Sequence, residues 1–254
     1  MTILLPLVVS ALAVCITFLY ASWQDLKTRT VLTVTWYPAA VIGGAAALVF
    51  WYQALQQPSP MIILMLILSL LIAAMMGIFG KLGIFGMADA KALILLALTV
   101  PVTPFAAWTF PSLAVSSIVN ASILALLIPA ALLLSNTLKN NHAPFWLKCS
   151  GLPVPGSEIT RHFGFIAEKL TGGDPITREF LPARSSVRTL SKNPELIIRN
   201  LRDHPDTFAE QLELCRNAGT VWITYGIPFL IPLTAGYLLA LCGFSITDAV
   251  LSLI

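Results

Sequence analysis

Residues 77–91 read G-I-F-G-K-L-G-I-F-G-M-A-D-A-K and carry a single acid, Asp89, between two long apolar runs. An ionisable residue at membrane depth costs about 2.5–3.5 kcal/mol on insertion, so it is a functional candidate whose partner has to be identified. The best partner is Asp25, in W-Q-D-L-K-T-R at residues 23–29, where another apolar run meets a charged turn. If two carboxylates approach closely they cannot both ionise, and the pair then offers a general base to activate water and a general acid to protonate a leaving group.

The whole chain has the composition of a polytopic membrane protein. Of its 254 residues, 57% are apolar and 11% charged, and the mean hydropathy is +0.84, whereas ordinary soluble domains are far more polar. Six apolar runs approach or exceed the roughly 17–25 residues that a helix needs to cross a bilayer. They cover residues 3–20, 35–52, 61–79, 89–107, 112–135 and 220–242. We therefore predict an all-α polytopic membrane protein with six transmembrane helices, the first retained and not removed as a signal peptide.

A change of composition divides the chain. Residues 1–135 form the predicted membrane core with both aspartates, and residues 219–254 the sixth helix and an outer tail. The segment 136–218 between them is polar and holds all three histidines, so we predict a small cytoplasmic subdomain between helices five and six. Three helices are predicted within it: one from Ser157 with Ile159, Phe163, Ile166 and Leu170 on one face, one from Asn193-Pro194, and one after Asp206 with Phe208, Leu212 and Leu214 packed inward.

Basic residues predict the orientation in the membrane. Lys27 and Arg29 lie in the first turn and Lys81 and Lys91 flank the third, whereas the turns at 53–60 and 100–111 carry no charge. Short loops rich in Lys and Arg stay in the cytoplasm. The N-terminus is therefore predicted outside, and Asp25 and Asp89 share the cytoplasmic boundary of a multi-pass protein in the cell membrane.

Each of these residues also has a simpler interpretation. Asp25 alone fits a solvated acid paired with Lys27 or Arg29, Asp89 fits a helix N-cap, and Lys91 fits a lysine that extends to the interface. Glycine recurs every third residue from 77 to 86. Gly77 and Gly80 suit a tight helix contact as well as a functional role, whereas we predict a functional role for Gly83 and Gly86. Asn120 is interpreted as an interhelical hydrogen-bonding residue.

Other hydrolytic chemistries lack the residues that they need. The chain has no H-E-x-x-H, and its histidines all lie in the polar segment, so no metal site is predicted. G-x-S-x-G is absent, and no histidine lies in an apolar run to serve as the base for a serine nucleophile. No G-x-G-x-x-G or G-K-[ST] supports nucleotide binding. The four cysteines are scattered without C-x-x-C, so two aspartates remain.

G-M-A-D-A-K together with the upstream Q-D-L-K-T-R resembles the type IV prepilin peptidases, most closely the archaeal preflagellin and prepilin peptidases, which are G-x-G-D-type aspartic proteases. The resemblance extends to six helices, with one acid after the first and another at the start of the fourth. It implies that Asp25 and Asp89 are catalytic and that Gly86 is the first glycine of the motif. We place Gly83, Ala88, Lys91 and Lys27 with them as motif or substrate-approach positions. Ala88 stands where the bacterial pattern has its second glycine, as in archaeal-like members.

The resemblance implies an endopeptidase that removes a short basic leader, ending in glycine, from preflagellin-like or prepilin-like precursors at the cytoplasmic face. The partners are then precursors with class III signal peptides and membrane lipid, with no cofactor, metal or nucleic acid. The four-cysteine zinc element of many bacterial relatives has no counterpart here. The alternatives are a non-catalytic membrane assembly protein, a small proton-coupled transporter and, more remotely, a presenilin-like protease, which would need a Tyr before its first Asp where this chain has Gln24.

Overall fold

The computed structural model describes the chain in six stretches: residues 4–82, 85–105, 112–173, 176–182, 193–226 and 228–246. The described chain is mostly helical, as predicted. It separates into two compact units, one made of Met1–Ala125 with Pro228–Ile254 and the other of Leu126–Ile227.

The apolar runs form the principal helices. They are α1 Leu4–Thr28, α2 Gly44–Ala54, α3 Pro60–Lys81, α4 Met87–Thr99, α5 Leu113–Leu138 and α9 Leu230–Leu241. A 3₁₀ turn, Thr33–Trp36, and a π-helical turn, Ala39–Gly43, precede α2 and extend it to a span of Thr33–Ala54. Within the described residues, four spans are long and apolar enough to cross a membrane: Leu4–Thr28, Thr33–Ala54, Pro60–Lys81 and Leu113–Leu138.

The other two predicted membrane helices are shorter than their apolar runs. α4 has 13 residues and α9 has 12, so each is about 20 Å long at 1.5 Å per residue. α4 ends at Thr99 because Pro101 follows, and the residue before a proline disfavours helix. α9 begins at Leu230, ten residues after the predicted start, because the chain first forms a strand.

That strand, β5 Thr220–Tyr225, occupies the first part of the predicted sixth helix. Its sequence, T-V-W-I-T-Y, consists entirely of β-branched and aromatic residues, which favour strands over helices. Hydropathy alone does not distinguish an apolar strand from an apolar helix, and the predicted helix therefore begins ten residues before the observed one.

Hydrogen bonds join α1 to α9 within the apolar first unit. The Tyr237 hydroxyl donates to the Ala11 carbonyl at 2.9 Å. The hydroxyls of Ser22 and Thr234 share a hydrogen bond of 2.7 Å, and Ser22 also donates to the Leu230 carbonyl at 3.0 Å. Polar groups in a lipid environment need partners inside the protein, and these bonds fix α9 against the helix that carries Asp25.

Asn120 and Gly236 connect α5 to α9 in the same unit. The Asn120 amide donates to the Gly236 carbonyl at 3.4 Å, which confirms the predicted interhelical hydrogen bond. A Cβ at Gly236 would lie 2.6 Å from both the Ala121 nitrogen and the Ser117 oxygen. Only glycine permits so close an approach of the two helices.

The second unit contains two small antiparallel sheets, which the all-α prediction did not include. In the three-stranded sheet β5 lies between β1 Gly151–Pro155 and β2 Gly164–Ile166. β3 Glu168–Thr171 pairs with β4 Thr177–Phe180. The helices that begin within the described part of this unit are short: α6 Phe145–Ser150, α7 Ile198–Asp203 and α8 Ala209–Asn217, with 3₁₀ turns at Gly156–Arg161 and Pro194–Leu196.

The predicted helix from Ser157 to Leu170 is wrong. Only a 3₁₀ turn forms at its start, and Gly164 then adopts φ of +133°, which a helix does not allow. Exposure alternates along β3, where Glu168 and Leu170 are buried and the residues between and after them are exposed. Apolar residues at 159, 163, 166 and 170 fit a helical period, but here they belong to a turn, a loop and two strands.

The two later helices of the polar segment are confirmed in part. The one predicted from Asn193-Pro194 is a 3₁₀ turn followed by α7. The one predicted after Asp206 begins at Ala209, and Leu212 and Leu214 pack against the core of the second unit as predicted.

Glu168 is a buried acid in this core, with no exposed surface. Burial raises the pKa of its carboxyl group, although the Trp222 N–H, which donates to it at 2.7 Å, and the Arg178 guanidinium, 3.9 Å away, lower it. Burial likewise raises the pKa of the Cys215 thiol to about 11, and the negative charge of Glu168 adds to the shift.

Candidate active site

Asp25 and Asp89 lie on different helices of the first unit and come together. Asp25 is half-buried in the last turn of α1, and Asp89 is half-buried in the first turn of α4. The carboxyl groups are near enough for the charge of Asp25 to act on Asp89. Ionisation of one carboxyl group therefore disfavours ionisation of the other, which is the arrangement that acid–base hydrolysis by two carboxyl groups uses.

The start of α4 shapes the surroundings of Asp89. The helix begins at Met87 with Gly86 as its N-cap, so Asp89 is the third helical residue and not the cap that the simpler interpretation suggested. At this position the N-terminal partial charge of the helix favours a carboxylate. A Cβ on Gly86 would lie only 2.8 Å from the Asp89 Oδ2 atom, so the glycine leaves the space that this carboxyl group occupies.

The other glycines of the series have different surroundings. A Cβ on Gly80 would lie 2.8 Å from the Ala90 Cβ, whereas a Cβ on Gly77 would lie 4.0 Å from the Ile94 Cδ1 atom. Gly80 therefore allows a close approach of α3 and α4, whereas position 77 has room for a methyl group at an ordinary contact distance. Gly83, predicted as a substrate-approach residue, lies outside the described residues.

The residues beside the aspartates have identifiable contacts. The Lys27 ammonium lies 4.4 Å from the centre of the Trp23 ring, a cation–π contact, and the Arg29 guanidinium acts electrostatically on Asp25. Ala88 is half-buried and packs against the core of the first unit. Lys91 donates from Nζ to the Thr33 hydroxyl at 3.2 Å, so it contacts the segment that follows α1.

The end of α1 contains polar contacts that the sequence analysis missed. Arg29 ends the helix with φ of +53°, a conformation that non-glycine residues seldom adopt. Gln24 is buried, and its Oε1 atom accepts hydrogen bonds from the Leu32 N–H at 3.3 Å and the Thr35 hydroxyl at 2.9 Å. The available signal was a glutamine next to the candidate acid followed by a threonine-rich turn.

Three aromatic rings make contacts around Phe85, the residue before Gly86. The rings of Phe79 and Phe85 stack with centroids 6.4 Å apart, and Phe85 meets Phe229 edge-on at 6.3 Å. These contacts connect the end of α3, the residue before Gly86 and the start of α9. Across the described residues, no group of three histidine, cysteine or acidic side chains is arranged to hold a metal ion.

Two family models match the chain. The type IV leader peptidase family matches residues 12–135, which include both aspartates. The archaeal peptidase A24 C-terminus type II model matches residues 143–243. Comparison with curated proteins finds no significant match.

The two matches cover complementary parts of the chain and agree with each other, since both describe leader peptidases. They confirm the resemblance inferred from residues 24–29 and 86–91, and they favour a peptidase over the assembly protein and the transporter. The chain is therefore a membrane protein that belongs to the type IV leader peptidase family, and it is a hydrolase of the prepilin peptidase type.

Proposed function

We propose that the chain is an aspartic endopeptidase that removes the short basic leader of preflagellin-like or prepilin-like precursors at the cytoplasmic face of the membrane. The observation that carries the proposal is the pairing of Asp25 from α1 with Asp89 from α4, close enough for one charge to act on the other. These two residues are the proposed catalytic pair.

The proposed reaction needs a single shared proton. One aspartate, as the carboxylate, takes a proton from water while the oxygen attacks the carbonyl carbon of the peptide bond that follows the leader. The other aspartate, as the acid, gives its proton to the amide nitrogen when the C–N bond breaks. The proton removed from water replaces the one donated, so the pair returns to its starting state without a covalent intermediate or a metal.

The site suits an extended substrate segment. Gly86 removes side-chain bulk directly beside Asp89, and a peptide must lie extended for water and acid to reach opposite sides of one bond. In this proposal Gly83 and Gly86 admit the leader, and Ala88, Lys91 and Lys27 belong to the surrounding motif.

The proposed topology has six spans with the N-terminus outside. Residues 1–135 and the helix within 219–254 form the membrane part, and 136–218 are cytoplasmic. Four long apolar spans in the described residues and the charge distribution of the short loops support this arrangement.

The direct test is to incubate membranes that contain the protein with a precursor carrying a class III leader. A shortened product whose new N-terminus follows the leader glycine is expected, and a chelator is expected to leave the rate unchanged. Absence of cleavage across several such precursors, or inhibition that zinc reverses, contradicts the proposal.

A further inference from the structure

The turn between α1 and α2 makes side-chain hydrogen bonds in two directions. On one side the Thr35 hydroxyl donates to the Gln24 Oε1 atom at 2.9 Å, and the Leu32 N–H donates to the same oxygen at 3.3 Å. On the other side the Thr33 hydroxyl accepts from the Lys91 Nζ atom at 3.2 Å. Thr33 and Thr35 both lie in the 3₁₀ turn Thr33–Trp36, so one short rigid element makes both bonds.

The partners of this turn are neighbours of the two aspartates. Gln24 directly precedes Asp25 in α1, and Lys91 follows Asp89 by two residues in α4. The contacts therefore run from Gln24 of α1 to Thr35, through the turn to Thr33, and from Thr33 to Lys91 of α4. It connects the backbones that carry the two carboxyl groups without using either carboxyl group.

The connecting turn is anchored to the apolar core. Trp36, its last residue, is buried and packs edge-on against Phe18 of α1 with ring centroids 6.5 Å apart. Gln24 and Thr35 are also buried, where a hydrogen bond lost without replacement leaves an unpaired polar group. Because the turn is fixed at Trp36 and Thr35, the Lys91 contact holds α4 relative to a fixed point.

We propose that Gln24, Thr33 and Thr35, with Lys91, form a clamp that sets the distance between Asp25 and Asp89, which makes them positioning residues for cleavage. The inference rests on the proposed function, since it assigns the clamp a role in aspartic catalysis. A misplacement of about 1 Å in a catalytic group can cost about 10²-fold in rate. Loss of one hydroxyl of the clamp is therefore expected to lower kcat about 10- to 100-fold and to leave KM within about twofold, because the proposed clamp acts on the two carboxyl groups and not on the precursor.

The test uses Thr35→Val and Thr33→Val, which keep the side-chain shape and remove the hydroxyl. Thr35→Ser and Thr33→Ser retain the hydroxyl and are expected to restore kcat. Thr30→Val is the matched control: Thr30 lies in the same connection, is exposed, and its hydroxyl donates to the Thr28 hydroxyl at 3.0 Å, outside the proposed clamp. Its kcat is expected to equal that of the wild type. If Thr35→Val and Thr33→Val lower the amount of folded protein but not kcat per folded molecule, the clamp is structural and the proposal fails.

The double variant Thr33→Val/Thr35→Val tests whether the contacts act in series. Breaking either link releases the connection, so the double variant is expected to lose no more activity than the more impaired single variant, whereas independent effects multiply. A multiplied loss contradicts the clamp. Thr33 is exposed, so Thr33→Val is expected to fold. If Thr35→Val does not fold, the clamp can therefore still be tested with Thr33→Val.

Asp25→Asn, measured in the same series, separates this inference from the proposed function. If Asp25→Asn cleaves the precursor as the wild type does, the aspartic mechanism fails and the clamp fails with it. If Asp25→Asn is inactive while both valine variants keep wild-type kcat, the clamp alone is refuted.

Discussion

Gly80→Ala tests whether the contact between α3 and α4 determines the position of Asp89. A Cβ at residue 80 would lie 2.8 Å from the Ala90 Cβ, whereas carbon atoms in contact stay about 3.5–4.0 Å apart. The Ala90 Cβ is attached to the backbone and cannot rotate away, so the two helices must separate by about 1 Å. Asp89 precedes Ala90 in the first turn of α4 and moves with it.

The size of the effect follows from that displacement. Overpacking of a tight contact costs typically about 1–3 kcal/mol of stability, and a shift of about 1 Å in a catalytic group costs up to about 10²-fold in rate. We therefore expect Gly80→Ala to lower kcat by about 10²-fold, and to lower the thermal unfolding temperature in detergent. The assay is the initial rate of precursor cleavage per folded enzyme, with folded protein quantified by size-exclusion chromatography.

Two further variants make the result specific. Gly77→Ala places a methyl group 4.0 Å from the Ile94 Cδ1 atom, an ordinary contact, so its rate should match the wild type. Gly80→Ala combined with Ala90→Gly transfers the methyl group from α4 to α3 and should recover most of the activity. Wild-type activity in Gly80→Ala, or a combined variant no better than Gly80→Ala alone, would refute the reasoning.

The other predictions concern the second unit and the topology. Because the pKa of Glu168 is raised in the folded protein, this group stabilises the fold at pH values below its unfolded pKa of about 4.3, and the stabilisation is lost as pH rises through its folded pKa. Glu168→Gln should therefore weaken the fall in unfolding free energy over that pH range. An unchanged pH dependence of the unfolding free energy would contradict this prediction. Cys215, buried and with a pKa of about 11, should resist maleimide at pH 8 until the protein is denatured, whereas exposed Cys242 should react in the folded state. A cysteine at position 57 should be labelled from outside the cell, and labelling only from the cytoplasmic face would overturn the proposed topology.

The candidate site was accessible from the sequence because its residues contrast with their surroundings. A carboxylate between apolar runs is costly unless it has a function, so Asp25 and Asp89 stood out without structural information. Asn120 was interpretable for the same reason, as a polar side chain that needs an internal partner. The clamp was not, because Gln24, Thr33 and Thr35 are ordinary residues for a charged turn and only their contacts distinguish them.

The sheets of the second unit were missed for a different physical reason. β1 and β2 are stabilised by pairing with β5, which lies more than fifty residues further along the chain. A local pattern of apolar residues does not contain that pairing, and the spacing of Ile159, Phe163, Ile166 and Leu170 fits a helix by itself. The composition of β5 was a usable signal, but hydropathy assigned those residues to a membrane helix.

The central claim is that Asp25 and Asp89 exchange the protons of peptide hydrolysis. Asparagine keeps the size of aspartate but cannot take up or release the proton, so Asp25→Asn and Asp89→Asn separate chemistry from packing. Asp203, an exposed acid of α7 paired with Arg199, provides the same substitution away from the site as a control. Lys27→Ala, which removes a cation–π contact with Trp23 and no catalytic carboxyl group, should cost far less than either site variant.

The most direct measurement is the rate of precursor cleavage by folded, membrane-inserted Asp89→Asn, alone and combined with Asp25→Asn. Each single variant should lose at least about 10²–10⁴-fold in kcat, and the double variant should be about as inactive as either one, because members of a cooperating pair are not additive. Cleavage by Asp89→Asn at the rate of Asp203→Asn would contradict the aspartic mechanism.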